Sequence, residues 1–259
     1  MGKKYLLLGF LSLITNIMLA FNTNVYAVVI GITDYRQTNV NNLQYTENDA
    51  FKFYNLLKNE KLGAFKIDNV SLLVNQSASK ANIIKAMRHQ FRKAKDNDLL
   101  IFFFSGHGGQ RYFRPFDEEL LLHNEIKQII NQSSAETKIV FADACYAGSM
   151  LTPILGNGQI EHDTNYFGEN TITLLSSGAK EQSWEDSKIK HGVFSYYLVT
   201  GLMWNADINR DYKITIQEIF NYIYVNTRQH VLTEFQVTQQ PIIGGAFDST
   251  MVITNLIRH

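Results

Sequence analysis

The stretch that decides the fold is residues 99–109, which read Leu-Leu-Ile-Phe-Phe-Phe-Ser-Gly-His-Gly-Gly. A second stretch, residues 139–149, reads Ile-Val-Phe-Ala-Asp-Ala-Cys-Tyr-Ala-Gly-Ser. Each is a short apolar run that breaks into small residues, as a buried strand of a parallel sheet does at its exposed end. Ligands of such sheets bind at the carboxyl ends of the strands. We therefore expect two strands to deliver the imidazole of His107 and the thiol of Cys145 to one rim.

His107 and Cys145 together predict nucleophilic cysteine chemistry. A cysteine nucleophile and its base are close in space although they are distant in sequence. Cysteine attacks as its thiolate, which is a minor species near neutral pH, so His107 is expected to take the proton and later to protonate the leaving amine. The backbone N–H groups of Gly108 and Cys145 are expected to form an oxyanion hole. The sequence thus predicts a cysteine peptidase.

Composition fits one catalytic domain and excludes several other classes of protein. The 259 residues are 45% hydrophobic and 12% aromatic, which is enough for a substantial core. Lys and Arg together number 24, as do Asp and Glu, so no overall charge points to nucleic acid. A single cysteine permits neither an internal disulfide nor an all-cysteine metal site. We expect protein or peptide substrates, no cofactor for the chemistry, no nucleic-acid partner and a monomer.

The N-terminal segment predicts export. Lys3 and Lys4 precede an apolar run from Tyr5 to Ala20, which is the pattern of a secretory signal peptide. We place the signal peptide at residues 1–20, because cleavage as late as Ala27 would remove part of the first predicted strand. The expected location is periplasmic or secreted. An uncleaved membrane anchor is the alternative, although the run is short for a membrane span.

Strand and helix patterns alternate from Val25 onward, which predicts one α/β domain with a mainly parallel sheet of about six strands. Helices are expected on both faces of the sheet, the first starting near Asn48 and the second capped by Ser79. Three further helices are expected at Leu120–Ile130, at Val193–Leu202 and around Ile219–Thr227. The predicted strands are Val25–Ile32, Val70–Val74, Leu99–Ser105, Lys138–Asp143 and Thr171–Ser176, with a late strand near Met251–Thr254.

Five segments, in order along the chain, resemble the caspase–metacaspase superfamily of cysteine peptidases. The likeness is greatest to its bacterial caspase-like members, of the metacaspase or orthocaspase type. It runs from about Tyr26 to the C-terminus and implies the caspase–haemoglobinase fold over residues 21–259. It also implies that Cys145 is the nucleophile, His107 the base and Gly108 an oxyanion donor. The matching segments are Tyr26–Tyr35, Leu43–Ala50, Ser105–Gly108, Asp143–Gly148 and Ser176–Ser195.

The residues around Cys145 predict specificity for a basic side chain. Asp143 shares a strand face with Cys145, because residues two apart point the same way. An acidic pocket favours a cationic side chain, and caspases that cut after aspartate carry Gln where this chain has Asp143. Metacaspases pair this aspartate with another at the position of Asp49. We therefore expect Asp49 and Asp143 to line a pocket for Arg or Lys, although Asp49 also fits a helix N-terminus.

The resemblance implies two further substrate contacts. Ser177, just past the fifth predicted strand, is expected to contact the substrate backbone. Trp184 is expected either to wall the pocket or to belong to the core, and the sequence does not decide between them.

The loop after the catalytic strand predicts activity as a single chain. Many family members mature by cutting this loop, but no Lys or Arg lies between Tyr146 and Ala179. An enzyme specific for basic residues is unable to cut itself there. Any self-cleavage is expected outside residues 146–179.

A segment from Asp207 to Glu218 follows the pattern of an EF-hand loop. Position 6 of that loop is Tyr212, where the pattern requires glycine for a positive φ angle, and Arg210 opposes a cation. The alternative is an interhelical loop held by Asp and Asn turns. Calcium stimulation is therefore left open. The candidate ligands are Asp207, Asn209, Asp211, Lys213 through its carbonyl, Thr215 and Glu218.

Two other functions remain open at this point. The first is a catalytically silent, calcium-linked binding module on the same fold. The second is an asparaginyl peptidase of the related legumain kind, which two pocket aspartates disfavour.

Overall fold

The computed structural model describes residues 24–35, 40–59, 69–117, 119–152, 163, 166–168, 170–246 and 248–256. The predicted signal peptide lies outside these residues. Ala27, the later cleavage point, is fully buried within the first strand. No helix in the described ranges is both long and apolar enough to cross a membrane.

Thirteen strands occur in the described ranges, and six of them form the central sheet. The strands are β1 (Val25–Gly31), β2 (Val70–Val74), β3 (Leu99–Ser105), β4 (Gly108–Gly109), β5 (Tyr112–Phe113), β6 (Leu121–Leu122), β7 (Thr137–Asp143), β8 (Thr171–Leu175), β9 (Glu185–Asp186), β10 (His191–Gly192), β11 (Lys213–Thr215), β12 (Ile242–Gly244) and β13 (Val252–Asn255).

Five α-helices lie among these strands. They are α1 (Thr46–Leu57), α2 (Lys80–Phe91), α3 (His123–Asn131), α4 (Val193–Thr200) and α5 (Ile216–Phe235). Single turns of 3₁₀ helix occur at Asn75–Ser77 and Ala147–Leu151, and α4 continues as a π-helix over Gly201–Asn205.

The central sheet has the strand order β12-β8-β7-β3-β1-β2. Its strands are parallel except β12, which pairs antiparallel with β8. Parallel strands are buried on both faces, which explains why β3 is an unbroken apolar run. The predicted six-stranded, mainly parallel sheet is thus confirmed.

Two apolar cores cover the two faces of the sheet. On one face, α2 and α3 pack through Ile83, Met87 and Ile126 against alternate residues of the central strands. On the other face, α1, α4 and α5 pack in the same way, with Phe53 stacked on Phe103 at 4.4 Å between ring centroids. Alternation along each strand places successive residues in different cores. The sheet is therefore held rigid from both sides.

One strand of the sheet differs from the prediction. The late segment near Met251–Thr254 forms a strand, β13, but it pairs with β11 in a separate two-stranded sheet. The sixth strand of the central sheet is β12, which has three residues and follows Pro241. A run of three residues is too short to show the alternation of apolar and polar residues by which a strand is predicted from sequence. The late strand is therefore confirmed as a strand, but it is not a member of the central sheet.

Two helix starts show which local signals were reliable. Ser79 caps α2 as predicted, since its Oγ accepts the Asn82 N–H at 3.3 Å. Helix α1 begins at Thr46 rather than near Asn48, and its N-cap residue, Tyr45, makes no side-chain cap bond. Asp49 therefore lies inside the first turn of α1 rather than at the cap.

Candidate active site

His107 and Cys145 stand at the carboxyl ends of adjacent strands. The last residues of β3 and β7, Ser105 and Asp143, are paired in register. Just beyond them, the Gly106 N–H donates to the Asp143 carbonyl at 3.1 Å. This pairing fixes the two strand ends side by side, as expected at the rim of a parallel sheet. His107 and Cys145 consequently line one small cleft, which has a volume of about 70 Å³.

The imidazole of His107 is held by backbone and aromatic groups. Its Nε2 lies 2.7 Å from the Asn41 carbonyl oxygen. A carbonyl oxygen only accepts, so Nε2 carries the hydrogen in the neutral ring and Nδ1 is left as the acceptor. The Tyr35 ring lies 4.6 Å from the imidazole, and the His107 N–H donates to Tyr35 Oη at 2.9 Å. Burial lowers the pKa of His107 below the usual histidine value, which favours the neutral ring.

The thiol of Cys145 interacts with the backbone of Ser183. The Ser183 N–H donates to Sγ at 3.5 Å, and Sγ lies 3.8 Å from the Ser183 carbonyl oxygen. Burial and, secondarily, the charge of Asp143 raise the pKa of the thiol. Within the described residues no hydrogen bond joins Sγ to His107. Such bonds are often long in the absence of substrate, so the geometry describes a resting thiol with a base nearby.

Gly108 allows the chain after His107 to approach Cys145. A β-carbon at this position would lie 2.5 Å from the Cys145 carbonyl oxygen and 3.0 Å from the Ala144 β-carbon. Any side chain would therefore push β4 away from Cys145. The absence of a side chain keeps the backbone of Gly108 against Cys145, as the predicted oxyanion role requires.

Asp143 is a buried carboxylate that lines the cleft. It is 5% exposed, its Oδ1 accepts the Ser183 hydroxyl at 2.5 Å, and its Oδ2 accepts the Ser195 N–H at 3.0 Å. Burial raises its pKa, and these donors act against that shift. The expectation that Asp143 points to the same region as Cys145 agrees with the structure, since both residues line the cleft.

Asp49 lies one layer deeper than predicted. It is 1% exposed and does not line the cleft itself. Its Oδ2 accepts the hydroxyl of Ser105, which does line the cleft, at 2.8 Å, and the Gly192 N–H lies 3.2 Å from both oxygens. Burial, and then the charge of Asp143, raise its pKa well above the usual value. Asp49 is therefore the floor beneath the pocket rather than part of its wall.

A third carboxylate, Glu185, supplies the wall that Asp49 does not. Its Oε1 accepts the Tyr45 N–H at 2.7 Å and its Oε2 the Gln44 N–H at 2.9 Å. It lines the cleft, and its pKa is raised by burial. Sequence reasoning missed this residue because β9 has two residues and its partners are about 140 positions away. The available signal was the resembling segment Ser176–Ser195, which contains Glu185.

His191, on β10, contacts Asp49, which is the most deeply buried of the three carboxylates. Its Nδ1 lies 2.7 Å from Asp49 Oδ1. Burial and the nearby Lys52 lower the pKa of His191 to about 4, so the ring is neutral near pH 7 and donates its N–H to the carboxylate. The sequence analysis assigned no role to this residue.

The two other predicted substrate contacts have different positions. Trp184 lines the cleft and stacks on Phe235, with 5.3 Å between ring centroids. Ser177 is 0% exposed, and its hydroxyl donates to the Ala144 carbonyl at 3.1 Å. The structure does not bring Ser177 into the cleft, because that hydrogen bond ties the chain after β8 to the residue before Cys145.

The EF-hand-like loop is held by its own side chains. Tyr212 has φ +67°, the positive angle that glycine would supply in the pattern. Asp207 accepts the N–H groups of Asp211 and Tyr212 at 3.1 Å. Glu218 accepts the backbone N–H and the hydroxyl of Thr215 at the start of α5. Within the described ranges no group of three or more His, Cys, Asp and Glu side chains is placed to hold a metal ion. The acidic members of the predicted ligand set, Asp207, Asp211 and Glu218, therefore do not form such a group, and calcium binding by the whole set stays a prediction.

Comparison with known proteins identifies the family. The caspase-domain family profile matches residues 24–246. The chain therefore belongs to the caspase-domain family of cysteine peptidases.

The relatives support this assignment over part of the chain. The chain is 32% identical over 99 residues to Metacaspase-1 of Kluyveromyces lactis. It is 38% identical over 98 residues to Metacaspase-1B of Aspergillus niger. Each match covers 36% of this chain and 22% of the relative, about a fifth of its length. A crystal structure of a protein from Geobacter sulfurreducens superposes with a TM-score of 0.64 at 15% identity, covering 91% of this chain and all of that one, and shows the fold alone.

Proposed function

We propose that this protein is a cysteine endopeptidase that cleaves after Arg or Lys. Cys145 is the nucleophile, and His107 is its base. The observation that carries the proposal is the convergence of carboxylates beside the thiol. A β-carbon on Gly192 would lie 2.4 Å from Asp143 Oδ2 and 3.0 Å from Asp49 Oδ2, so both carboxylates border one point.

The chemistry follows from the tautomer of His107. With Nε2–H held by the Asn41 carbonyl, Nδ1 is the acceptor that takes the thiol proton. The thiolate then attacks the scissile carbonyl, and the charge that develops on its oxygen is stabilised by backbone N–H groups of Gly108 and Cys145. The protonated His107 returns the proton to the leaving amine, and water hydrolyses the thioester.

The specificity follows from the charge of the cleft. Asp143 and Glu185 line it, and Asp49 lies beneath Ser105. Burial raises the pKa of all three carboxyl groups, and the charge of Asp143 raises those of Asp49 and Glu185 further, so a cation that enters the space between them is favoured. At about 70 Å³ the cleft suits one extended side chain rather than a whole ligand, for which roughly 300–1,000 Å³ is usual. An Arg or Lys side chain satisfies both the shape and the charge.

A panel of fluorogenic peptides tests the proposal. Peptides ending in Arg, Lys, Asn or Asp should be cleaved only when the last residue is Arg or Lys, and not by Cys145→Ala or His107→Ala. Preference for Asn would favour the legumain-like alternative. A thiol probe that fails to label the wild-type chain, together with no cleavage of any peptide, would support a silent binding module.

Calcium stimulation and export remain predictions of this proposal. In the structure the carboxylate of Glu218 accepts hydrogen bonds from Thr215, and the peptidase chemistry requires no metal. The same peptide assay with calcium and with a chelator measures the first prediction. Mass spectrometry of the N-terminus of the mature chain measures the second, with Phe21 expected as the first residue.

A further inference from the structure

A second cavity, of about 350 Å³, lies beside the turn of helix that follows Cys145. Among the described residues it shares no lining residue with the catalytic cleft. Its volume is in the range that holds a small ligand. Its wall combines cationic and hydrogen-bonding groups, among them the side chains of Arg111, His123 and Ser149.

Arg111 is fixed at the edge of this cavity by its backbone. Its N–H donates to Ser149 Oγ at 2.8 Å, and its carbonyl accepts the His123 N–H at 2.9 Å. Within the described part of the chain its Nη1 atom is buried and has no hydrogen-bond partner. The residue also has φ +70°, a region in which glycine or asparagine is the usual choice. Burying a guanidinium nitrogen without a hydrogen-bond partner costs free energy of folding, so an acceptor for this nitrogen is missing from the site.

His123 supplies a second independent indication of a missing ligand. The residue is 2% exposed, and neither ring nitrogen has a hydrogen-bond partner among the described residues. Burial and the charge of Arg111 lower its pKa to about 3, while the nearby Ser149 backbone acts weakly in the other direction. The ring is therefore neutral and carries one N–H donor and one acceptor. Both are unused.

The surroundings of these two side chains favour an anion. His123 begins α3, and the start of a helix attracts negative charge. The acidic residue in the first turn, Glu125, is already engaged, since it accepts the Leu122 N–H at 2.8 Å and pairs with Lys80 at 3.0 Å. We propose that Arg111 and His123 form a binding site for a small ligand that bears an oxyanion, a phosphate or a carboxylate. The site is separate from the catalytic cleft.

Ser149 connects this site to the nucleophile. Its Oγ accepts from Arg111 and donates to the Gly109 carbonyl at 3.4 Å, and it lies four residues after Cys145. An anion that draws Arg111 inward therefore acts on the segment that carries Gly108. Occupancy is expected to change kcat for peptide cleavage more than KM.

Binding is tested on the full chain without any substrate, so the result does not depend on the proposed peptidase activity. Inorganic phosphate and succinate, titrated at constant ionic strength against sodium chloride, should raise Tm of the wild-type chain. Arg111→Gln should lose this increase. Arg92→Gln, which removes an exposed arginine, should keep it. A response to phosphate but not to succinate identifies a phosphate-bearing ligand, and the reverse identifies a carboxylate.

A second measurement uses the wild-type chain alone, so it does not depend on whether the Arg111 variant folds. In ¹H–¹⁵N spectra of the histidine rings, the resonances of His123 should shift with phosphate or succinate in a saturable way. The His89 ring, which is exposed on α2, should not move. Equal Tm shifts in wild type and Arg111→Gln, or no movement of His123 with either anion, would overturn the proposal.

Discussion

The carboxylate of Asp143 and the backbone of Gly192 are in contact, with no room for a side chain between them. A β-carbon on Gly192 would lie 2.4 Å from Asp143 Oδ2. Gly192 has φ −59° and ψ 134°, which any residue adopts, so its lack of a side chain matters for space rather than for backbone conformation. Strand β10 is thereby held against the acid that lies two residues before the nucleophile.

Replacing Gly192 with alanine should therefore impair the pocket while leaving the backbone conformation allowed. The added methyl group displaces Asp143 by several tenths of an ångström or more, and misplacement of about 1 Å costs about 10²-fold in catalysis. We expect kcat/KM on an Arg-ending peptide to fall by about that factor. Gly178→Ala is the matched control, because its β-carbon would meet only the end of the Glu181 side chain, at 3.3 Å. Equal activity of both variants would contradict the assigned pocket.

The charge of Asp143 should determine the preference for arginine over its neutral isostere citrulline. A hydrogen bond to a charged group contributes about 1.5–3 kcal/mol, which is roughly 10- to 150-fold in kcat/KM. Asp143→Asn and Glu185→Gln should each reduce the arginine-to-citrulline ratio within this range. Asp49→Asn should reduce it less, since Asp49 reaches the cleft through Ser105. Steady-state kinetics on the two peptides measure the ratio, and a larger loss in Asp49→Asn than in Asp143→Asn would show that Asp49 contacts the substrate directly.

The different depths of these acids show what the sequence was able to predict. The apolar runs of β3 and β7 are local, so the strands, the sheet and the placement of His107 and Cys145 at one rim followed from them. Glu185 and Asp49 are placed by contacts with residues far along the chain, such as the Gln44 N–H and the Gly192 N–H. The hydrophobic pattern of a short segment contains no information on contacts with distant residues. The same reason explains why β12, with three residues, was missed and why His123 attracted no attention.

The pH dependence of activity should show that His107 and Cys145 are both uncharged before substrate binds. Burial lowers the pKa of His107, so the ring loses its proton at a lower pH than an ordinary histidine, and the acid limb of kcat/KM should lie below about 6.5. Burial and Asp143 raise the pKa of Cys145, so alkylation by iodoacetamide should accelerate only above about pH 8.5. Rapid alkylation at pH 6 would instead indicate a preformed thiolate–imidazolium pair. Asp143→Asn should move the alkylation profile to lower pH.

Tyr35 should act as a positioning residue for His107. Its hydroxyl accepts the His107 N–H at 2.9 Å and donates to the Arg114 carbonyl at 3.1 Å. Tyr35→Phe leaves these two partly buried backbone groups without this partner, which costs about 1–3 kcal/mol in the free energy of unfolding. Because the backbone of His107 loses an anchor, while the ring of residue 35 stays against the imidazole and the pocket is unchanged, kcat should fall while KM stays near the wild-type value. Denaturant unfolding and kinetics measure the two effects, and a rise in KM alone would contradict this role.

The active chain should remain uncut between Tyr146 and Ala179. That segment contains no Lys or Arg, so the proposed specificity leaves no self-cleavage site within it. It also carries the turn of helix Ala147–Leu151, which is buried next to the nucleophile and is held by the Gly148 N–H donating to the Ser177 carbonyl at 2.9 Å. Intact mass spectrometry of protein labelled by an active-site thiol probe should show one chain across this region. Inserting an arginine after Gly156 should create a cleavage site that Cys145→Ala abolishes. A cut inside residues 146–179 of the unmodified active protein would contradict either the single-chain activity or the specificity for basic residues.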